Sequence, residues 1–195
     1  MTTIYFVRHA QPDYTSGTQS TFGLSDEGQM DCFAAAELLK DISFRAAVSS
    51  PYKRSMETIR PIAESQGLEI ITDIRLRERD SGIKGNSSRE MFRKRWADHN
   101  YCEEGGECLC SVERRNIEAL EDILEKYSGS DVLVGTHGTA LSVILNHYDK
   151  AFGVEEFLRV INYMPWVVRA DFDEKELVSY KELGFVRKEF HGKTK

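Results

Sequence analysis

Proline and cysteine are both scarce in this chain, with four of each in 195 residues, and no Pro/Gly-rich linker or low-complexity tract interrupts it. That excludes collagen-like, disordered and disulfide-stapled architectures. No apolar run approaches the ~20 residues that cross a bilayer, and no basic-then-apolar leader opens the sequence. A cytoplasmic protein with no membrane partner is therefore expected. Positive charge is also in deficit, since 26 Lys and Arg face 32 Asp and Glu for a net charge of -6. Without a sustained basic face, nucleic acid is not an expected partner. A local positive pocket can still take a small anion.

What is present is 41% apolar and 30% charged residues, the composition of an ordinary globular protein. A chain of this length has room for one sizeable core, so a single domain over residues 1–195 is expected. Cys32, Cys102, Cys108 and Cys110 read as reduced thiols. His99, Cys102, Cys108 and Cys110 offer four possible ligands within 12 residues. Their Cys-x-Cys pair and five-residue gap match no standard zinc spacing, and no metal is expected.

Strand and helix signals alternate, the pattern that builds a largely parallel sheet covered on both faces. Strands are expected at 3–8, 45–49, 68–72, 131–135, 166–172 and 176–181. A helix over 26–40 follows Ser25 as N-cap and places Met30, Phe33, Ala34 and Leu38 on one side. Further helices are expected over 53–66, over 108–127 with Ile117, Leu120, Leu124 and Tyr127 in register, and from about Thr139 with Leu141, Ile144, Leu145 and Tyr148 on one stripe. Ser128-Gly129-Ser130 stops the third of these.

Three segments carry chemistry. In Ile4-Tyr5-Phe6-Val7-Arg8-His9-Ala10 a buried strand ends in an arginine and a histidine, where open α/β sheets place their ligand crevice. The guanidinium suits a phosphate, and the imidazole is a nitrogen nucleophile near neutral pH. In Asp131-Val132-Leu133-Val134-Gly135-Thr136-His137-Gly138-Thr139 a second strand ends in a histidine, then a glycine and a helix start. Exposed amides there favour an anion, and Gly138 removes a Cβ that would hold a phosphate off the backbone. In Ser49-Ser50-Pro51-Tyr52-Lys53-Arg54 a strand turns into a helix that brings a second guanidinium one turn in.

Arg8-His9-Ala10, Leu24-Ser25-Asp26-Glu27-Gly28, Ser49-Ser50-Pro51 with Arg54 and Thr58, Leu76-Arg77-Glu78, Gly105-Gly106-Glu107 and Gly135-Thr136-His137-Gly138 occur in one order along the chain. In that order they resemble the histidine phosphatase superfamily, the phosphoglycerate mutase-like group, over nearly the whole sequence. The resemblance implies a three-layer α/β/α sandwich with a mostly parallel sheet of about six strands. It implies His9 as the nucleophile that accepts a phosphoryl group, and Arg8, Arg54 and His137 as holders of the phosphate oxygens. Gly138, Thr139 and Thr15 would complete the substrate site, and Glu78 would act as general acid and base. Neither metal nor cofactor is needed for that chemistry. Residues 83–108 correspond to the region that covers the active site in relatives.

The chain also departs from the family pattern. Six residues after the nucleophile, Thr15 stands where many members have an asparagine; the loop Arg79-Asp80-Ser81-Gly82-Ile83-Lys84-Gly85 is one residue shorter between its glycines than the common form; and Cys108 stands where many have a serine that looks like a helix N-cap. Arg89, Arg93, Lys94, Arg95 and Trp96 either recruit an anionic substrate or form a helix with a solvated charged face and Met91, Phe92 and Trp96 packed inward. The short polar tail from Lys188 to Lys195 favours hydrolysis over mutase chemistry, which must exclude water around a retained intermediate. The expected function is a phosphatase acting on a phosphomonoester of a small metabolite through a phosphohistidine. The alternatives are a phosphoglycerate mutase-type transferase or a phosphate-binding regulatory protein. Oligomeric state is left open.

Overall fold

The computed structural model describes residues 1–15, 17–83, 85 and 87–189. Strands β1 (Thr2–Arg8), β2 (Ala46–Ser49), β3 (Ile70–Thr72), β4 (Asp131–Thr136), β5 (Tyr163–Asp173) and β6 (Glu176–Arg187) form one sheet in the order β3-β2-β4-β1-β5-β6. The four strands from β3 to β1 are parallel, β5 adds antiparallel to β1, and β6 adds antiparallel to β5. Helices α1 (Asp26–Leu39), α2 (Lys53–Ser65), α3 (Arg89–Ala97), α4 (Leu109–Lys126), α5 (Gly138–Tyr148) and α6 (Val154–Val160) flank it. The expected α/β architecture with a mostly parallel six-stranded sheet is what the chain forms. Among the described residues, no helix is long and apolar enough to cross a membrane.

β1 explains why two helical layers are needed. Successive strand side chains point to opposite faces, and every residue of β1 is buried. Ile4 and Phe6 join Leu120, Ile123, Leu141 and Ile144 of α4 and α5 in one cluster. Tyr5 and Val7 join Ala35, Leu39, Ile59 and Ile62 of α1 and α2 in the other. Burying each large apolar side chain is worth roughly 1.5–3 kcal/mol. A one-residue slip of β1 would exchange its two faces and lose both sets of contacts.

The expected strands and helices recur with shifted ends. The segment 68–72 contributes only Ile70–Thr72 as strand, with Leu68 packed against the α1/α2 cluster, while β6 continues six residues past 181 to Arg187. Gly129 ends α4 at a φ of 74°, a left-handed conformation that glycine adopts without strain. In the covering segment, residues 84 and 86 lie outside the described residues. So do residues 190–195 of the polar tail, whereas Lys188 pairs with Asp31 at 2.6 Å.

α1 corrects one expectation. Ser25 does cap it, accepting from the Gly28 amide at 3.0 Å, but its apolar side faces solvent. Met30 is 69% and Phe33 61% exposed, and Ala34 and Leu38 are exposed as well. The buried side is Gly28, Cys32, Ala35 and Leu39. The cause is distance, because a Cβ on Gly28 would lie 2.2 Å from the carbonyl oxygen of Gln11. Where a helix runs this close to another segment, small residues make the interface, and side-chain size points to the wrong face.

In an open helix, Gly→Ala gains up to about 1 kcal/mol. At Gly28 the backbone collision adds an overpacking cost of about 1–3 kcal/mol. Gly28→Ala is therefore expected to lower the urea unfolding midpoint; a midpoint at or above that of the parent would show that α1 can lift off the Gln11 loop.

Candidate active site

The parallel strands β2, β4 and β1 lie side by side, with Ser49 opposite Gly135 and Arg8 opposite Thr136. Their carboxyl ends therefore deliver Ser50, His137 and the Arg8-His9 pair to one edge of the sheet, the place where α/β sheets bind ligands. The His9 amide donates to Thr136 O at 3.1 Å, tying the two strand ends together.

His9 is buried and its Nδ1 lies 2.7 Å from Ala10 O. A carbonyl only accepts, so Nδ1 carries the proton and Nε2 presents a lone pair. Burial, then the charges of Arg54 and Arg8, push its pKa well below 6.5. His137 meets the His9 ring edge-on at 5.2 Å, and its Nε2 lies 2.8 Å from Ser50 Oγ. That hydroxyl accepts from the Tyr52 amide at 3.2 Å; with its own proton given to Nε2, the N–H of His137 is at Nδ1. Burial lowers the His137 pKa as well, followed by Arg54, His9 and Arg8. Both imidazoles are neutral for the same reason: they sit in a dry place beside two cations.

Arg8 donates from Nη1 to Val160 O at 2.9 Å. Its guanidinium lies across the turn that begins α5, so close that a Cβ on Gly138 would sit 3.0 Å from Arg8 Cζ. Arg54, the second residue of α2, donates to Gln19 O and lies over the Tyr52 ring, 5.1 Å from its centroid. Arg8 Nε, Arg54 Nε and His137 Nδ1 are buried without a hydrogen-bond partner in the protein. An unsatisfied buried donor costs about 1–3 kcal/mol, and three beside one free imidazole nitrogen make a receptor for an oxyanion.

Glu78 follows a short 3-10 turn, Ile74–Leu76. Its Oε1 accepts from the Arg79 amide at 2.8 Å and its Oε2 from the Thr139 amide at 3.0 Å. Its charge acts on both Arg8 and Arg54. The loop that carries Glu78 is braced from α4. Arg115 donates to the carbonyls of Arg75 and Arg77 at 2.6 Å and of Glu78 at 3.2 Å. Glu107 holds Arg115 at 2.9 Å, Arg77 at 2.8 Å and the Asp80 amide at 3.0 Å. A second buried carboxylate, Glu103, is shared by Arg79 and Arg95.

Of the residues expected at the site, Arg8, His9, Arg54, Glu78 and His137 come together. Gly138 lies against the Arg8 guanidinium, 3.0 Å from where a Cβ would be. The Thr139 amide is taken up by Glu78. Thr15 is exposed, and its hydroxyl and amide both donate to Asp13 Oδ1, at 2.7 and 2.9 Å. The neighbouring Tyr14 is the residue that sequence reasoning missed. It is 55% exposed, and its phenol interacts electrostatically with Arg54, Arg8 and Glu78. Its ring packs on Phe22, with centroids 5.3 Å apart.

The basic stretch packs as a helix. Phe92 and Trp96 rest on Phe157, Arg93 pairs with Glu155, and Arg95 is buried against Glu103. Arg89 stays free of that packing and lines a groove of about 380 Å³ with Phe92, Leu158, Ile161 and Asn162, next to the Val160 carbonyl that holds Arg8. The His99 and cysteine cluster does not gather: among the described residues no three His, Cys, Asp or Glu converge as metal ligands.

Because His9 and His137 have lowered folded-state pKa values, the unfolded chain binds more protons than the folded one below pH 6.5. The stability from these two groups is fully present above that pH and falls as pH drops, by about 1.4 kcal/mol per pH unit for each histidine. Urea unfolding between pH 7 and 5 should show this slope, and a His9→Gln/His137→Gln variant should flatten it; an unchanged slope would mean that these rings are not held neutral.

Comparison with known proteins agrees with this geometry. A probable phosphoglycerate mutase GpmB of Yersinia pestis (strain Pestoides F) is 29% identical over 162 residues, covering 75% of this chain and 74% of its own. YhfR of Bacillus stearothermophilus superposes with a TM-score of 0.75 at 22% identity, over 91% of this chain and 94% of its own. A mycobacterial glucosyl-3-phosphoglycerate phosphatase superposes with a TM-score of 0.71 at 20% identity, over 92% and 96%. The family model of the histidine phosphatase superfamily (branch 1) matches residues 4–180. With its strand-end histidines and arginines inside that span, the chain belongs to the histidine phosphatase superfamily, branch 1.

Proposed function

We propose that the protein is a metal-independent phosphatase that hydrolyses a phosphomonoester of a small metabolite through a phosphohistidine. One observation carries the reading: the protonated Nδ1 of His9 is fixed on Ala10 O, its ring meets that of His137 edge-on beside the charges of Arg54 and Arg8, and Arg8 Nε, Arg54 Nε and His137 Nδ1 are buried without partners. Solved neighbours of the fold include a glucosyl-3-phosphoglycerate phosphatase and a phosphoserine phosphatase from Entamoeba histolytica. Their substrates are small phosphate esters, which supports the class.

His9 Nε2 attacks phosphorus, the ester P–O bond breaks, and Glu78 in its protonated form gives its proton to the leaving alkoxide. Glu78 then takes a proton from water as the water oxygen attacks the phosphohistidine, and the P–N bond returns its electron pair to His9. Charge on the equatorial oxygens of the transferring group meets Arg8, Arg54 and His137, which are already in place and need no reorganisation. Arg89 of α3, which lines the groove with Phe92 and Leu158, is the residue of the covering region that contacts the leaving group in this reading.

Wild-type enzyme quenched in denaturant should carry acid-labile phosphate, and His9→Ala should carry none and release none. Glu78→Gln should lower kcat by roughly 10²–10⁴, and dialysis against EDTA should leave the rate unchanged. Turnover that survives in His9→Ala would sink the mechanism. An isomerised phosphate ester in place of free phosphate would instead identify a mutase, the activity printed for the curated relatives.

A further inference from the structure

Two thiols outside the phosphate site meet at the start of α4. Cys108 Sγ and Cys110 Sγ lie 2.8 Å apart, and Ser111 Oγ is 3.2 Å from Cys108 Sγ. Cys108 occupies the N-cap position and makes no side-chain cap bond, so its sulfur lies beside the unpaired first-turn amides of the helix. Both residues are only partly buried, and Cys110 lines an open groove of about 350 Å³ with Glu113, Arg114 and His147. A small oxidant can reach them.

We propose that Cys108 and Cys110 are a modification site, a dithiol that hydroperoxides oxidise to an intramolecular disulfide. Burial works against ionisation of Cys108, but the contacts with Cys110 Sγ and Ser111 Oγ act the other way and its pKa lies below the usual thiol range. The bond to Cys108 and burial raise that of Cys110. Cys108 is therefore the attacking thiolate and Cys110 the resolving thiol.

The steps balance. The Cys108 thiolate attacks one oxygen of the hydroperoxide, the O–O bond breaks, and Cys108 becomes a sulfenic acid while the other oxygen leaves as hydroxide or alkoxide and takes a proton. The sulfur of Cys110 then attacks the sulfenic sulfur; an S–S bond forms, the S–O bond breaks, and hydroxide leaves with the thiol proton as water. The peroxide is reduced by two electrons and the thiol pair is oxidised by two. A disulfide between residues two apart closes a very short loop, gains little from the unfolded state and is easily reduced, which makes the change reversible.

The other cysteines are differently placed. Cys32 is buried, donates to Gly28 O at 3.1 Å and has its pKa pushed up to about 11 by burial. Cys102 is exposed and contributes no sulfur to the pair. The pair contains none of the phosphate-site residues, so the test does not depend on the proposed reaction.

The test uses the full chain carrying Cys102→Ser, exposed to stoichiometric hydrogen peroxide, then unfolded and alkylated with iodoacetamide. Cys108 and Cys110 should be protected together, the intact mass should fall by two hydrogens, and dithiothreitol should reverse both changes. With Cys110→Ser added, dimedone should label Cys108. Cys108→Ser, which puts a better N-cap at the helix start and so keeps the fold, should abolish both signals. Full alkylation of both thiols under conditions that oxidise free cysteine, disulfides only between chains, or dimedone on Cys32 would each overturn the proposal.

Discussion

Two guanidinium groups are buried at the end of a parallel sheet and bonded to backbone carbonyls, Arg8 to Val160 O and Arg54 to Gln19 O, with an Nε of each left over. Much of the surrounding structure follows from this placement of charge. The two imidazoles between them lose the capacity to be cations, because desolvation and the same-sign neighbours act in one direction. Neutral His9 then adds no third cation, and on the proposed reaction it is the nucleophile. At the turn that begins α5, a Cβ on Gly138 would press on the Arg8 guanidinium at 3.0–3.1 Å, so a larger residue there would require that side chain to shift. The donors need no movement to meet an anion, so the cost of assembling them falls on folding and not on binding.

Much of this was legible in the sequence, and the reason is local. A buried strand that ends in a polar pair reads the same in one dimension as in three, so Arg8-His9 and His137 were found from the apolar runs before them. Arg54 and Glu78 needed the family's motif order, because a helix arginine and a loop glutamate carry no local mark. What failed was whatever depended on distance between segments. The inner face of α1 begins with Gly28, Cys32 and Ala35, small residues where the helix passes the Gln11 carbonyl seventeen positions before Gly28, and no count of apolar side chains reports that. Thr15 was placed at the phosphate by its offset from His9, yet Asp13, two positions back, captures both its hydroxyl and its amide. Tyr14, one position away, is the neighbour whose phenol interacts electrostatically with Arg54 and Arg8.

The acid loop was the least legible part, since it is held by charges scattered over the chain. Arg115 in the middle of α4 takes three carbonyls of the segment Arg75–Glu78, and Glu107 closes the arrangement by binding Arg115, Arg77 and the Asp80 amide. Burying such pairs gives little net stability, but removing one partner leaves a charge uncompensated, at about 3–5 kcal/mol. The gain is in position. A loop without regular hydrogen bonds of its own is fixed to a helix that packs through Leu120 and Ile123 on the sheet bearing His9 and His137. The shorter glycine spacing after Glu78 is accommodated in the same way: Gly82 has a φ of 73°, and a Cβ there would lie 2.5 Å from Glu104 O, so the loop lies flat against 104–106.

Glu78 and the phosphate-holding groups are linked more closely than their separation in sequence implies. Glu78 Oε2 rests on the Thr139 amide, the second residue of the helix whose N-cap is His137. Its charge also acts on Arg8 and Arg54. A carboxylate and an arriving phosphate dianion therefore draw on the same guanidinium groups and the same helix start. On the proposed reaction this competition has a direction: it is eased when the carboxyl takes a proton, and a protonated carboxyl is the form that can donate to a leaving alkoxide. Once the phosphoryl group is on His9 and the alcohol has gone, the carboxylate that remains faces water. Binding and proton transfer are coupled through shared cations, and the neutral histidines keep that coupling simple by adding no charge of their own.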